Sequence, residues 1–143
     1  MAITRKASAQ WNGDLKQGKG EMSLGSGAFK GSYSFGTRFE GAPGTNPEEL
    51  IGAAHAGCFS MALTAALGKG GFNPKSVRTN ATVTLDKVGE GFAITKIDLD
   101  TEASVPGIDN AKFQEIAKGA KEGCPVSKAL AGTQISLNAK LVQ

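Results

Sequence analysis

"NPEELIGAAHAGCFSMALTAALGKGG", residues 46–71, holds one of the chain's two cysteines and its single histidine. Asn46 suits an N-cap, Pro47 the first helical position, and Glu49 completes a capping box three residues after the cap. Leu50, Ala54, Gly57, Met61 and Leu67 recur near helical spacing, and "GKGG" ends the helix. No residue from Leu50 to Leu67 is charged, a length that alone invites a membrane-span reading. Ala, Gly, His55, Ser60 and Thr64 leave it only weakly hydrophobic, which fits the core helix of a soluble protein and no membrane. The helix also lacks a polar face, so it is expected to be surrounded on most sides. A chain of 143 residues offers little to surround it with, and a homodimer is therefore expected.

Outward from this helix the chain reads as sheet. Residues 3–11 alternate, with Ile3, Ala7, Ala9 and Trp11 on one side, and "NGD" at 12–14 is a turn. A second strand runs through Met22 and Leu24, and a short third is expected around Tyr33 to Phe39. After the helix, Val77, Ala81, Val83 and Leu85 face one way; Arg78, Asn80, Thr82, Thr84 and Asp86 face the other. Between Phe92 and Val105, Phe92 and Ile94 have opposite parity to Ile97, Leu99, Ala103 and Val105, so a bulge is expected near Thr95. Phe113, Ile116, Ala117 and Ala120 form the stripe of a second helix closed by Gly123. "CPVSKALAG" reads as a short helix with Pro125 first, and Ile135, Leu137, Ala139 and Leu141 mark a final strand. The order β-β-β-α-β-β-α-α-β predicts an α+β fold, an antiparallel sheet packed on two main helices, in one domain spanning 1–143.

Composition excludes several functions. The net charge is +3, the basic residues are scattered and aromatics are few, so no nucleic-acid partner is expected. "MAITRKASAQW" has no apolar h-region, and the chain is expected in the cytoplasm. In a reducing compartment a cysteine pair is more often catalytic, redox-active or inert than a structural staple. There is no GxGxxG entering a helix, no phosphate-binding loop and no His/Cys cluster, so neither a bound cofactor nor a metal is expected.

Cys58 lies about three turns into its helix, where the dipole gives a thiol little activation. Buried free cysteine is common as a small hydrophobe, so an inert Cys58 stays open. His55, at i−3, shares its face and could pair with it, but no orienting third group is evident. Cys124 precedes Pro125 at an N-cap, where free N–H groups lower a thiol pKa; an inert capping or buried cysteine is the alternative. Arg38, in "SFGTRFEG", sits between aromatics and glycines in a setting that suggests a pocket; a surface arginine lying over Phe35 and Phe39 is the alternative. Glu49 is occupied by capping, which leaves Glu48 as the freer carboxylate.

Taken together, "TNPEELIGAAHAGCFSMAL", the later "GCPVSKAL" and the preceding "FGTRFEG" resemble the OsmC/Ohr family of thiol peroxidases, in its OsmC (osmotically inducible) branch. The similarity runs over nearly the whole chain; Gly57 stands where the family motif often has alanine. The resemblance implies an intertwined homodimer that reduces organic hydroperoxides, and hydrogen peroxide less well. It implies Cys58 as the peroxidatic thiolate, Cys124 as the resolving thiol and Arg38 with Glu48 as a supporting pair. It further implies recycling by an external dithiol, such as a lipoylated protein. Phe39, Phe59 and Met61 are candidate apolar walls for an alkyl peroxide. Glu48 and Cys58 are ten residues apart, about 15 Å along a helix. A composite site is therefore expected, Arg38 and Glu48 of one subunit serving Cys58 and Cys124 of the other. Two competing functions remain: a hydrolase or acyl transferase built on Cys58 and His55, and a non-enzymatic redox-sensing or binding dimer. Loss of activity in His55→Ala would favour the first; absence of rapid Cys58 oxidation by hydroperoxide would favour the second.

Overall fold

A computed structural model describes residues 1–142; Gln143, the last residue of the expected domain, lies outside them. Two compact units are present, residues 1–50 and 51–143.

In the first unit, β1 (Ala7–Asn12), β2 (Lys19–Leu24) and β3 (Lys30–Tyr33) form an antiparallel meander in that order. The first strand begins at Ala7, not Ile3, because its partner ends at Leu24, opposite Ala7. Gly20 pairs with both Trp11 and Tyr33, whose ring centroids lie 5.4 Å apart. A Cβ at Gly20 would come within 2.5 Å of the Tyr33 ring, so only glycine fits between them.

The strand expected over Tyr33 to Phe39 stops at Tyr33, and Phe35–Phe39 forms a short helix, α1. The reason is local. The Ser34 Oγ accepts from the Thr37 N–H at 3.2 Å while the Thr37 Oγ1 accepts from the Ser34 N–H at 2.9 Å, a reciprocal capping box. Helix α2, Pro47–Lys69, starts as its sequence predicts. Asn46 Oδ1 accepts from the Glu49 N–H at 2.8 Å; the Glu49 carboxylate accepts from the Asn46 side-chain amide at 3.0 Å rather than from the cap backbone.

The second unit contains most of α2 together with β4 (Ser76–Val88), β5 (Gly91–Ser104), α3 (Asn110–Gly123), α4 (Pro125–Ala129) and β6 (Gln134–Val142). β4 and β5 pair antiparallel with a register shift: Thr84 faces Lys96, Leu85 faces Ile94, and Thr95 is the extra residue, as the parity change predicts. β6 departs from the antiparallel expectation and lies parallel to β5. Its connection runs through α3 and α4, and a crossover of that length delivers a parallel neighbour.

The core joins Phe59, Leu63 and Leu67 of α2 to Ile97 and Leu99 of β5 and Phe113 and Ala117 of α3. The buried face of α2 therefore runs through Gly52, His55, Phe59, Leu63 and Leu67. Of the residues whose spacing marked the helix, Ala54, Gly57 and Met61 are exposed and only Leu67 is buried. At Gly52 a Cβ would meet Val83 at 3.3 Å, so glycine lets the helix lie close to β4. By length and composition α2 also meets the requirement for a membrane span, but Phe59, Leu63 and Leu67 are fully packed in the core.

Candidate active site

Two pairs of side chains with chemical potential form, one in each unit. In the first unit α1 presents Arg38 and the first turn of α2 presents Glu48. The guanidinium donates from Nε to Glu48 Oε1 at 3.1 Å and from Nη2 to Oε2 at 2.9 Å, a bidentate contact. Such a fork holds both planar groups in one orientation. Glu48 is buried, while Arg38 stays over one-third exposed and keeps donors free for a ligand. The guanidinium also lies over the Phe39 ring, 5.4 Å from its centroid, and Phe39 packs on Phe35 at 5.0 Å. The amide of Asn46 donates to the Thr37 carbonyl at 3.2 Å and ties α1 to the start of α2.

In the second unit Cys58, in the middle of α2, meets Cys124, which closes α3 and caps α4. Their sulfurs are 2.9 Å apart, both free thiols, with Cys124 fully buried and Cys58 half-buried. The two respond differently to their surroundings. Burial pushes the Cys58 thiol up, the Cys124 thiol beside it adds to the rise, and the Val126 N–H offsets part of it. Burial also raises Cys124, but the Cys58 thiol, the Ser127 N–H and hydroxyl and the Val126 N–H outweigh it and bring it below its ordinary value. The N–H groups opening α4 thus favour an anion on Cys124. For Cys58 the Val126 N–H does not outweigh burial and the neighbouring thiol, so its pKa stays raised.

His55 is fully buried one helical turn before Cys58, and its Nε2 bonds the Ser127 Oγ at 2.7 Å. Its ring is thus engaged with α4 and not held against Cys58 as a general base. Ser127 was not singled out by the sequence; its signal is that it follows Cys124 by three residues as His55 precedes Cys58 by three. Burial lowers the His55 pKa, so the folded protein holds it neutral. An unfolded histidine takes up its proton near pH 6.5. The stability tied to neutral His55 is complete above that pH and is lost as pH falls toward the lower folded value. The urea midpoint of wild type relative to His55→Gln should accordingly fall between about pH 8 and pH 5. A difference that stays constant with pH would contradict a neutral buried ring.

Of the three expected pocket walls, Phe59 belongs to the core, fully buried, and has no open face to offer a substrate. Met61 is 76% exposed and borders a groove of about 530 Å³ with Thr64, Pro74, Lys75 and Val77. Phe39 remains beside Arg38. Among the described residues no three His, Cys, Asp or Glu side chains are grouped to hold a metal.

Comparison with known proteins places the chain in a family. The model of the family described as OsmC-like protein matches residues 39–139. The chain is 59% identical over 131 residues to Peroxiredoxin OsmC of Escherichia coli (strain K12), covering 91% of this chain and 92% of that protein. It is 33% identical over 93 residues to the organic hydroperoxide resistance protein of Xanthomonas axonopodis pv. citri (strain 306), covering 64% and 63% of the two. Among solved structures, that of the organic hydroperoxide resistance protein OhrB of Bacillus subtilis superposes with a TM-score of 0.72 at 26% identity, over 98% of both chains. The breadth of the family match and the near full-length identity to an OsmC protein lead to one conclusion: this chain belongs to the OsmC-like protein family.

Proposed function

We propose that the protein is a thiol-dependent peroxidase that reduces organic hydroperoxides through Cys58, with Cys124 as the resolving thiol. The observation that carries this reading is the 2.9 Å approach of two free thiols of unequal burial. Relatives named for peroxiredoxin activity and for organic hydroperoxide resistance support it. The Cys58 thiolate attacks the terminal peroxide oxygen and the O–O bond breaks. The alkoxide leaves with a proton as an alcohol, and Cys58 becomes a sulfenic acid. Cys124 then attacks the Cys58 sulfur, the S–O bond breaks, and hydroxide leaves to become water as the disulfide forms. An external dithiol, such as a lipoylated protein, reduces that disulfide by two exchanges and is itself oxidised.

Because burial raises the Cys58 thiol, the thiolate needs a cation. Arg38, oriented by Glu48, is the group suited to supply it and to polarise the peroxide. In this reading the active form is a cytoplasmic homodimer, in which Arg38 and Glu48 of one subunit serve the cysteines of the other. The exposed face of α2 carries the small residues Ala54, Gly57 and Ala65 beside Met61, which supports such pairing by permitting close approach around an apolar side chain. Phe39 and Met61 would flank the alkyl group.

Consumption of cumene hydroperoxide with a dithiol supplied tests the reading, and a wild-type protein that consumes none would overturn it. Cys124→Ser should react with the first equivalent of peroxide, then stall as a sulfenic acid and progress to sulfinic acid under excess. Mass spectrometry of the Cys58 peptide distinguishes these states. Sustained turnover in Cys124→Ser without oxygen on Cys58 would contradict the resolving role.

A further inference from the structure

The peroxidase reading leaves one buried polar pair without a task, the 2.7 Å contact between His55 Nε2 and Ser127 Oγ. We propose that His55 and Ser127 form a positioning rung that holds Cys124 in register with Cys58 for disulfide closure; this rests on the peroxidase reading above.

The geometry is a two-rung ladder. His55 and Cys58 are three residues apart on α2, and Cys124 and Ser127 are three residues apart at the start of α4. Residues at that spacing share a helix face. One rung is the sulfur pair at 2.9 Å, the other the imidazole–hydroxyl pair at 2.7 Å, and 55 meets 127 as 58 meets 124. His55 and Cys124 are fully buried and Ser127 nearly so, so neither polar residue of the second rung can find water instead.

The orientation of the rung follows from its one unpaired atom. His55 Nδ1 is buried without a hydrogen-bond partner. An unpaired lone pair is tolerated in protein interiors more readily than an unpaired N–H. The proton therefore sits on Nε2, which donates to the Ser127 Oγ. The hydroxyl proton of Ser127 is then directed away from the ring and is available to the Cys124 sulfur, whose pKa that hydroxyl lowers. His55 and Ser127 touch neither peroxide nor the reacting oxygen; they act through Cys124.

The consequence lies in the second chemical step. A sulfenic acid on half-buried Cys58 has two fates, attack by Cys124 or a second oxidation to sulfinic acid. A disulfide needs the sulfurs at about 2.05 Å, under about 1 Å closer than they stand. Keeping α4 in register on α2 keeps that approach short, and a small misplacement of reacting atoms slows closure steeply.

The experiment measures peroxide reaction and disulfide closure separately, by stopped flow with one equivalent of cumene hydroperoxide, and repeats closure with diamide, which needs no peroxide chemistry. Ser127→Ala and His55→Leu should react with peroxide at the wild-type rate but close the disulfide about tenfold more slowly with either oxidant. Both should form sulfinic acid at lower peroxide doses. Ser127→Thr, which restores the hydroxyl, and His55→Gln, which restores a donor near Nε2, should recover most of the closure rate. Wild-type closure in Ser127→Ala, or closure in Ser127→Thr as slow as in Ser127→Ala, overturns the rung. If His55→Leu does not fold, the Ser127 variants decide alone. Were wild type not to react with cumene hydroperoxide, the peroxidase reading would fall, and the diamide rates would still decide the rung.

Discussion

Cys58→Ser is expected to lower hydroperoxide consumption by a factor on the order of 10³ or more. The serine hydroxyl is nearly isosteric but does not ionise near neutral pH, and its oxygen has no counterpart to the sulfenic state. Cys124 cannot replace it despite being the thiol whose setting favours the anion, because it is fully buried. Exposure and charge thus point to different cysteines, and this variant decides between them. The measurement is loss of cumene hydroperoxide under excess dithiol, with circular dichroism to confirm folding. Residual activity above about a tenth of wild type would hand the nucleophile's role to Cys124 and remove the central claim.

Arg38→Ala is expected to slow the peroxide step about a hundredfold at neutral pH, the scale on which a preorganised donor or cation acts in catalysis. Burial and Cys124 raise the Cys58 thiol, so without a cation little thiolate exists. The sign with pH follows: the deficit should narrow as pH rises, because hydroxide then supplies the thiolate that the guanidinium no longer stabilises. The part that remains at high pH reports lost polarisation of the peroxide. Arg38→Lys should recover only a fraction, since an ammonium cannot occupy both Glu48 oxygens as Nε and Nη2 do. An unchanged rate and pH profile in Arg38→Ala would show that Cys58 is activated by something else. Because Arg38→Ala also leaves the buried Glu48 carboxylate without its guanidinium, a thermal melt should accompany the rate measurement to separate lost stability from lost activation.

Some of this architecture is readable from residue pattern because the determinants are local. The cap at Asn46, the stop at "GKGG" and the odd residue at Thr95 each follow from a few neighbours in sequence. The α1 helix was equally local, through Ser34 and Thr37, yet its aromatic-rich span reads as strand by propensity. The α2 helix shows where periodicity loses its power. Its apolar residues occur all round, so the Leu50–Ala54–Gly57–Met61 row and the Gly52–His55–Phe59–Leu63 row compete, and only packing selects the second. β6 alternates cleanly in either direction, and its parallel pairing depends on the path through α3 and α4.

The candidate site divides in the same way. The sequence by itself narrowed the candidates for chemistry, since two cysteines, one histidine and a capped helix uncharged from Leu50 to Leu67 leave few choices, and family resemblance implies their roles. Tertiary structure decided which of them meet: Arg38 with Glu48, Cys58 with Cys124 and His55 with Ser127. Those last two contacts join residues 66 and 72 positions apart. Nothing in spacing encodes them, because they exist only once α3 returns the chain so that the start of α4 lies on the middle of α2. The same packing half-buries Cys58 and raises its thiol while lowering that of Cys124, an asymmetry that no residue spacing encodes.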